Sequence, residues 1–168
     1  MLIDTHSHLD DLADLPQQLG AARASGVGGW VVPGVAPQQW PRLMATVAAT
    51  PGAWAAPGVH PQHANQWRPE LAETLLELAS APRSVAIGEV GLDGQAAPEL
   101  SLQSAVCRQM IGLARETGRP LLLHCRRATG RLLELLRCER ADEVGGVAHA
   151  FALRGAQGLA GSKVLQLV

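Results

Sequence analysis

The chain is 168 residues long and 47% hydrophobic, and it carries 14 Lys plus Arg against 15 Asp plus Glu for a formal net charge of −1. Length and apolar content support a single folded domain over 1–168 and exclude a disordered chain, while the balanced charge excludes a broad basic stripe for holding duplex nucleic acid. Three cysteines without CxxC spacing, Cys107, Cys125 and Cys138, exclude a disulfide scaffold or zinc finger, and no apolar run approaches the ~20 residues of a membrane span, so a soluble, cytoplasmic protein with no membrane partner is expected.

In chain order, short apolar runs alternate with helical patterns. The first strand is predicted over 2–6 and leads into His-Ser-His, with His6 and His8 two residues apart. On a strand that spacing turns both imidazoles to one side, within reach of one ion. A helix follows over 12–25, then a strand over 29–33, a helix over 37–49 and a strand over 53–59. Pro57, Pro61 and Pro69 surround a loop over 60–67 that carries His60, His63 and Trp67. Next come a helix over 69–80, a strand over 85–89 ending on Glu89, and a long helix over 100–117 stopped by Gly118 and Pro120. A strand over 121–124 ends on His124, a helix spans 129–139, and a sixth strand over 147–151 contains His149. Beyond it Gly155, Gly158 and Gly161 make a poor sixth helix, since each interior glycine costs ~1 kcal/mol relative to alanine. The closing Lys-Val-Leu-Gln-Leu-Val reads either as the remnant of a seventh strand or as an out-of-frame ending. Strand alternating with helix in this way predicts βα units and a mainly parallel sheet.

The chemistry-bearing residues fall into a pattern on these elements. His6, His8, Glu89, His124 and His149 all sit at predicted strand C-terminal ends, which in a parallel α/β barrel converge on the face where active sites lie. Singly, each histidine also reads as a satisfied strand-end residue or a surface one; the coincidence of all of them points to a metal. An acid after an apolar strand, flanked by Gly88 and Gly91, is poorly suited to a core without a cation. Four imidazoles and a carboxylate suit zinc or another divalent ion, and a carboxylate can bridge two.

Five ordered motifs carry a resemblance: Ile-Asp-Thr-His-Ser-His at the start, Pro-Gly-Val-His-Pro around His60, Gly-Glu-Val-Gly-Leu-Asp around Glu89, Leu-Leu-His-Cys-Arg-Arg-Ala around His124 and Ala-His-Ala-Phe around His149. From Met1 to about Phe151 the chain resembles the TatD family of metal-dependent deoxyribonucleases, in the amidohydrolase superfamily. The resemblance implies an α/β fold, a TIM-type (β/α)8 barrel, with two divalent ions (zinc, magnesium, manganese or nickel) on its C-terminal face. By the family's pattern His6 and His8 hold the first ion, Glu89 bridges both, and His124 and His149 hold the second. His60 lines the site toward substrate phosphate or a bound water, so Glu89 and His60 are the catalytic candidates. Arg126 is a second phosphate contact, with a solvated loop arginine as the competing reading. Two ions can polarise a phosphodiester and activate water at neutral pH, which implies hydrolysis of DNA. Without a basic stripe, strand ends or short single-stranded DNA fit better than duplex.

A complete eight-stranded barrel takes ~250 residues, so about six βα units with the final strands missing are expected here. The family's aspartate at the end of the eighth strand, which ligates the first ion, has no counterpart after His149. That leaves a second reading open, a truncated, non-catalytic protein that binds metal or serves a structural role. A third, an amide or lactone hydrolase of the same superfamily, would use a carboxylated lysine as the bridge; Glu89 takes that position and the only lysine is Lys163. Unpaired first and last strands predict self-association, with another copy covering the gap, or marginal stability.

Overall fold

The computed structural model describes residues 1–149 and the strand Gln166–Leu167. Strands and helices alternate: β1 (Leu2–Asp4), α1 (Leu15–Ala24), β2 (Val27–Pro33), α2 (Trp40–Ala49), β3 (Ala53–Ala56), α3 (Ala72–Ser80), β4 (Ile87–Asp93), α4 (Leu100–Thr117), β5 (Leu121–Arg126), α5 (Thr129–Cys138), β6 (Gly146–Ala148) and β7 (Gln166–Leu167). Every strand pairing is parallel, and the order follows the sequence, as β1-β2-β3 and β4-β5-β6-β7. Backbone bonds join the two sheets: Val85 donates to the Ala55 carbonyl at 2.9 Å, Ala55 to Arg83 at 2.8 Å, and Gly88 to Pro57 at 3.1 Å. Sequential parallel strands with intervening helices make the wall of a TIM-type barrel, incomplete here. Among the described residues nothing pairs with the outer edge of β1, and Leu2 and Ile3 are 63% and 50% exposed.

Local chemistry explains the boundaries. Asp14 caps α1 by accepting from the Gln17 amide at 3.3 Å, so that helix begins at Leu15 rather than at residue 12. Gly118 closes α4 at φ +64, a left-handed conformation that costs glycine nothing, and the Arg119 amide reaches back to the Ala114 carbonyl. The helices predicted from residues 37 and 69 open as single 3-10 turns, Pro37–Gln39 and Pro69–Leu71, before becoming α-helical. Residues 61–66, read as loop from sequence, wind into a 3-10 run behind Pro61.

Five strands end elsewhere than expected: β5 runs on to Arg126, so His124 lies inside it, β6 stops at Ala148, one residue short of His149, and β1, β3 and β4 differ as follows. β1 stops at Asp4, whose side chain accepts from the His6 amide at 3.0 Å and turns the chain, so His6 and His8 lie beyond the strand. β3 ends at Ala56, before Pro57, not at residue 59. β4 continues to Asp93 because Val90–Asp93 stays in register with Leu123–Arg126, and Glu89 therefore sits inside the strand, at a shift of register between Gly88 and Val90. Of the sixth predicted strand, 150–151 lies outside the described residues, as do Gly155, Gly158, Gly161 and Lys163; within the closing segment Gln166 and Leu167 pair with Val147 and Ala148 as a seventh strand.

The main core lies between β4–β6 and helices α3–α5. Leu75, Ile87, Met110 and Ile111 are fully buried there, with Leu121, Leu123 and Leu132 close to it. On α4 the buried residues Val106, Cys107, Met110, Ile111 and Ala114 follow the spacing of one helix face. A second cluster, with Val32, Leu43 and Val47, packs α1 and α2 on the first sheet. Each such side chain contributes about 1.5–3 kcal/mol when fully buried, and together they hold the strand ends that carry the polar residues.

Candidate metal centre

Glu89 is the hub. Its side chain is 3% exposed, and its backbone amide donates to the Gly34 carbonyl at 2.8 Å, which ties it to the end of β2. Five imidazoles surround the carboxylate. Oε2 lies 3.3 Å from His6 Nε2 and 3.9 Å from His8 Nε2. Oε1 lies 2.9 Å from His124 Nδ1 and 3.9 Å from His60 Nε2, and it accepts a short hydrogen bond from His149 Nε2. His149 also stacks on His6, with ring centroids 3.6 Å apart. The residues thus come from the ends of β1, β3, β5 and β6 and from the register shift in β4.

These groups perturb one another. Burial alone would push the Glu89 carboxyl up, but hydrogen bonds from His124, His149 and His6 outweigh it and hold the group ionised far below the ordinary range. His124 is opposed by burial and nonetheless raised, because Glu89 and Asp93 flank its two nitrogens. Burial lowers His8, and the neighbouring His6 adds to the effect.

The donor set fits a divalent ion. At Zn–N distances of about 2.0–2.1 Å, two ligands of a tetrahedral ion stand about 3.3–3.4 Å apart; His6 Nε2 is 3.3 Å from both His8 Nε2 and Glu89 Oε2. Two groups of three side chains have their ligand atoms within 4.8 Å, His6–Glu89–His149 and His60–Glu89–His124, and they share Glu89; the hydrogen bonding of His60 takes it out of the second group as a ligand. His6 Nδ1 and His8 Nδ1 are buried without a hydrogen-bond partner.

His60 differs from the others in its tautomer. Its Nδ1 accepts from the Gln62 backbone amide at 3.2 Å, so a neutral ring carries its proton on Nε2, the atom facing Glu89 and His124. That makes His60 a hydrogen-bond donor into the site and a poor metal ligand. A cleft of about 290 Å³ opens beside it, lined by His8, Asp11, Val35, His60, Gln62 and Glu89. A larger groove, about 550 Å³, runs between α4 and α5; its Arg108 and Arg131 are engaged with Glu139 and Ser104 and no histidine lines it.

A neutral donor has an acid limit. Burial pushes His60 down from 6.5 to about 4 in the metal-free protein, so its contribution to stability is complete above about pH 6.5 and is lost as pH falls toward 4. At 1.36 kcal/mol per unit that amounts to about 3 kcal/mol. His124, raised rather than lowered, has the opposite sign: its contribution is present below 6.5 and fades as pH rises through its folded value. Metal-free His60→Gln is therefore expected to lose less stability than wild type between pH 6.5 and 4. Denaturant melts of both proteins at the two pH values check this, and equal slopes would assign the acid sensitivity to another group.

Arg126 ends β5 with an exposed side chain and, among the described residues, joins none of the contacts around Glu89. His63 pairs with Gln66 instead of facing the cluster. Sequence reasoning missed Asp93, a buried carboxylate 3.3 Å from His124 Nε2. The signal was there: Asp93 lies four residues after Glu89, and on a strand an even spacing returns to the same face.

Comparison with known proteins converges on one family. The TatD related DNase family model matches residues 3–157. A 3'-5' ssDNA/RNA exonuclease TatD of Edwardsiella piscicida is 34% identical over 140 residues, 82% of this chain and 54% of that protein. An uncharacterized metal-dependent hydrolase, YabD, of Bacillus subtilis is 35% identical over 156 residues, 90% of this chain and 61% of that one. The chain therefore spans little more than half the length of the curated relatives it matches. The crystal structure of YJJV, a TatD homolog of Escherichia coli, superposes with a TM-score of 0.84 at 27% identity, covering 99% of this chain and 66% of that one. With a sequential parallel barrel wall and a histidine-ringed glutamate beneath its strand ends, the chain belongs to the TatD related DNase family.

Proposed function

We propose that this chain carries the metal centre of a hydrolase that cleaves phosphodiester bonds in DNA, in which His6, His8, His124 and His149 would hold two divalent ions with Glu89 shared between them. The observation that carries the reading is the division of imidazoles between the two carboxylate oxygens, His6 and His8 on Oε2, His124 and His149 on Oε1. In this reading each pair holds one ion. When bound, the ions supply the charge that polarises a phosphodiester and activates water. His60 donates its Nε2–H to a phosphate oxygen or a water in the cleft, and because burial keeps it neutral near pH 7 it needs no proton from solvent to do so. The exposed guanidinium of Arg126 is the second phosphate contact, suited to bidentate hydrogen bonding.

Single-stranded DNA or a strand end is the favoured substrate. The cleft of about 290 Å³ stands at the small end of ligand pockets, the formal net charge is −1, and the Edwardsiella relative is named a 3'-5' ssDNA/RNA exonuclease. The purified chain should release nucleotides from single-stranded oligonucleotides in Mg²⁺, Mn²⁺, Zn²⁺ or Ni²⁺, stop when a chelator is added, and act more slowly on blunt duplex. A folded chain that binds metal and releases nothing in any of the four would leave a non-catalytic metal-binding protein in place of the nuclease.

A further inference from the structure

Asp93 is a costly residue with no part in the reading above. Its side chain is 1% exposed, and an ionised carboxylate is kept out of water only where hydrogen bonds repay its lost solvation. One oxygen, Oδ1, accepts from the Gln95 amide at 2.8 Å. The other, Oδ2, faces His124 Nε2 at 3.3 Å. The backbone of Asp93 is fixed as firmly as its side chain: its amide donates to Gln103 Oε1 at 2.8 Å, and Gln103 Nε2 donates to the carbonyls of Asp93 and Pro98 at 3.0 and 2.6 Å. Gln103 is itself 1% exposed and rides on α4. A buried helix side chain thus clamps the strand end that carries a buried carboxylate, and the carboxylate points at one nitrogen of one histidine.

From this arrangement we infer that Asp93 is a positioning residue for His124, holding the proton on Nε2 so that Nδ1, which donates to Glu89 in the metal-free protein, is the nitrogen left to ligate an ion. A neutral imidazole has a single N–H, and the nitrogen that donates leaves the other free to ligate. Metal-binding histidines commonly give their second nitrogen to a carboxylate in this way, and losing that partner lowers metal affinity 10–100-fold. The asymmetry within the cluster sharpens the point. His6 Nδ1 and His8 Nδ1 are buried without a partner among the described residues, whereas His124 has one, so the ion on the Oε1 side is the one Asp93 strengthens.

This inference rests on the metal-centre reading and is tested without nuclease activity. Zn²⁺ is titrated into the metal-free chain against a chromophoric chelator, for wild type, Asp93→Ala and Asp93→Asn, with thermal melts of the metal-free proteins beside them. Asp93→Ala should weaken one equivalent of Zn²⁺ by 10–100-fold and leave the other unchanged. Asp93→Asn, which keeps the shape and an acceptor oxygen, should restore part of that loss. In the Zn²⁺-loaded wild type, ¹⁵N shifts of His124 should report a protonated Nε2 and a ligated Nδ1, a signature that needs no variant to fold. Wild-type affinity in both variants, equal loss of both equivalents, or a ligated Nε2 would overturn the role of Asp93 while leaving the metal centre intact; a wild-type chain that takes up no Zn²⁺ removes the metal centre and this role together.

Discussion

Replacing Glu89 with alanine is expected to abolish the proposed metal-dependent phosphodiester hydrolysis and to leave the fold standing. Among the described residues Glu89 is the carboxylate on which His6, His8, His60, His124 and His149 converge, while Asp93 reaches His124 alone. A bound ion supplies several kcal/mol of charge stabilisation in a transition state, and at 1.36 kcal/mol per decade its loss lowers the rate on the order of 10³-fold or more. The carboxylate is also the anion that makes a nest of imidazoles tolerable. Burial opposes a charged His124, and its raised pKa depends on the hydrogen bonds it donates to Glu89 first and Asp93 after it; in the variant that group should titrate lower, visible as a move of its NMR titration midpoint toward acid pH. Nucleotide release measured side by side with circular dichroism separates loss of chemistry from loss of structure. Retained metal-dependent activity in Glu89→Ala would show that a different group organises the ions.

The second large effect is on the backbone. Gly91→Ala should destabilise the protein by about 3–5 kcal/mol, a sum of backbone strain and overpacking, out of the 5–15 kcal/mol that holds a typical domain folded. Gly91 has φ +144, where side chains other than glycine's are strained, and a Cβ there would stand 1.9 Å from the His124 carbonyl oxygen and 3.1 Å from its amide nitrogen. Gly91 and His124 are register partners in the β4–β5 ladder, so relief must push apart the two strands that bring His124 to Glu89. Gly112→Ala is the control. Gly112 lies inside α4 with open space around it, and alanine there should stabilise by about 0.5–1 kcal/mol. Urea melts of the two variants should move in opposite directions; a Gly91→Ala melt at or above the wild-type midpoint would mean that β4 and β5 can separate at little cost.

The barrel wall was legible in the sequence because buried parallel strands are written as short apolar runs between helical patterns, and residues 121–124 and 85–89 are such runs. The polar residues that close them stood out for the same reason: an acid or an imidazole after a short apolar run breaks the local pattern. What lay out of reach depends on geometry that a one-dimensional pattern does not encode. That Glu89 sits at a shift of register inside β4 follows from its pairing with β5, a long-range fact. That β1 ends at Asp4 follows from a side chain accepting from its own backbone two residues on. The Nε2–H tautomer of His60 is set by a Gln62 amide that becomes available only when residues 61–66 wind into a 3-10 run. Asp93 was hidden by the assumption that β4 ended at Glu89, which removed the residues beyond it from the strand face they share.

Metal content is the most direct measurement. The purified chain, stripped with chelator, is dialysed to equilibrium against Zn²⁺ or Mn²⁺ and assayed for bound metal per chain, with Glu89→Ala treated identically. Two equivalents on the wild type and none held tightly by the variant are expected from one carboxylate whose oxygens each face a pair of imidazoles. A wild-type chain that emerges without metal, or a Glu89→Ala chain that binds as well as wild type, would contradict a metal centre built on Glu89.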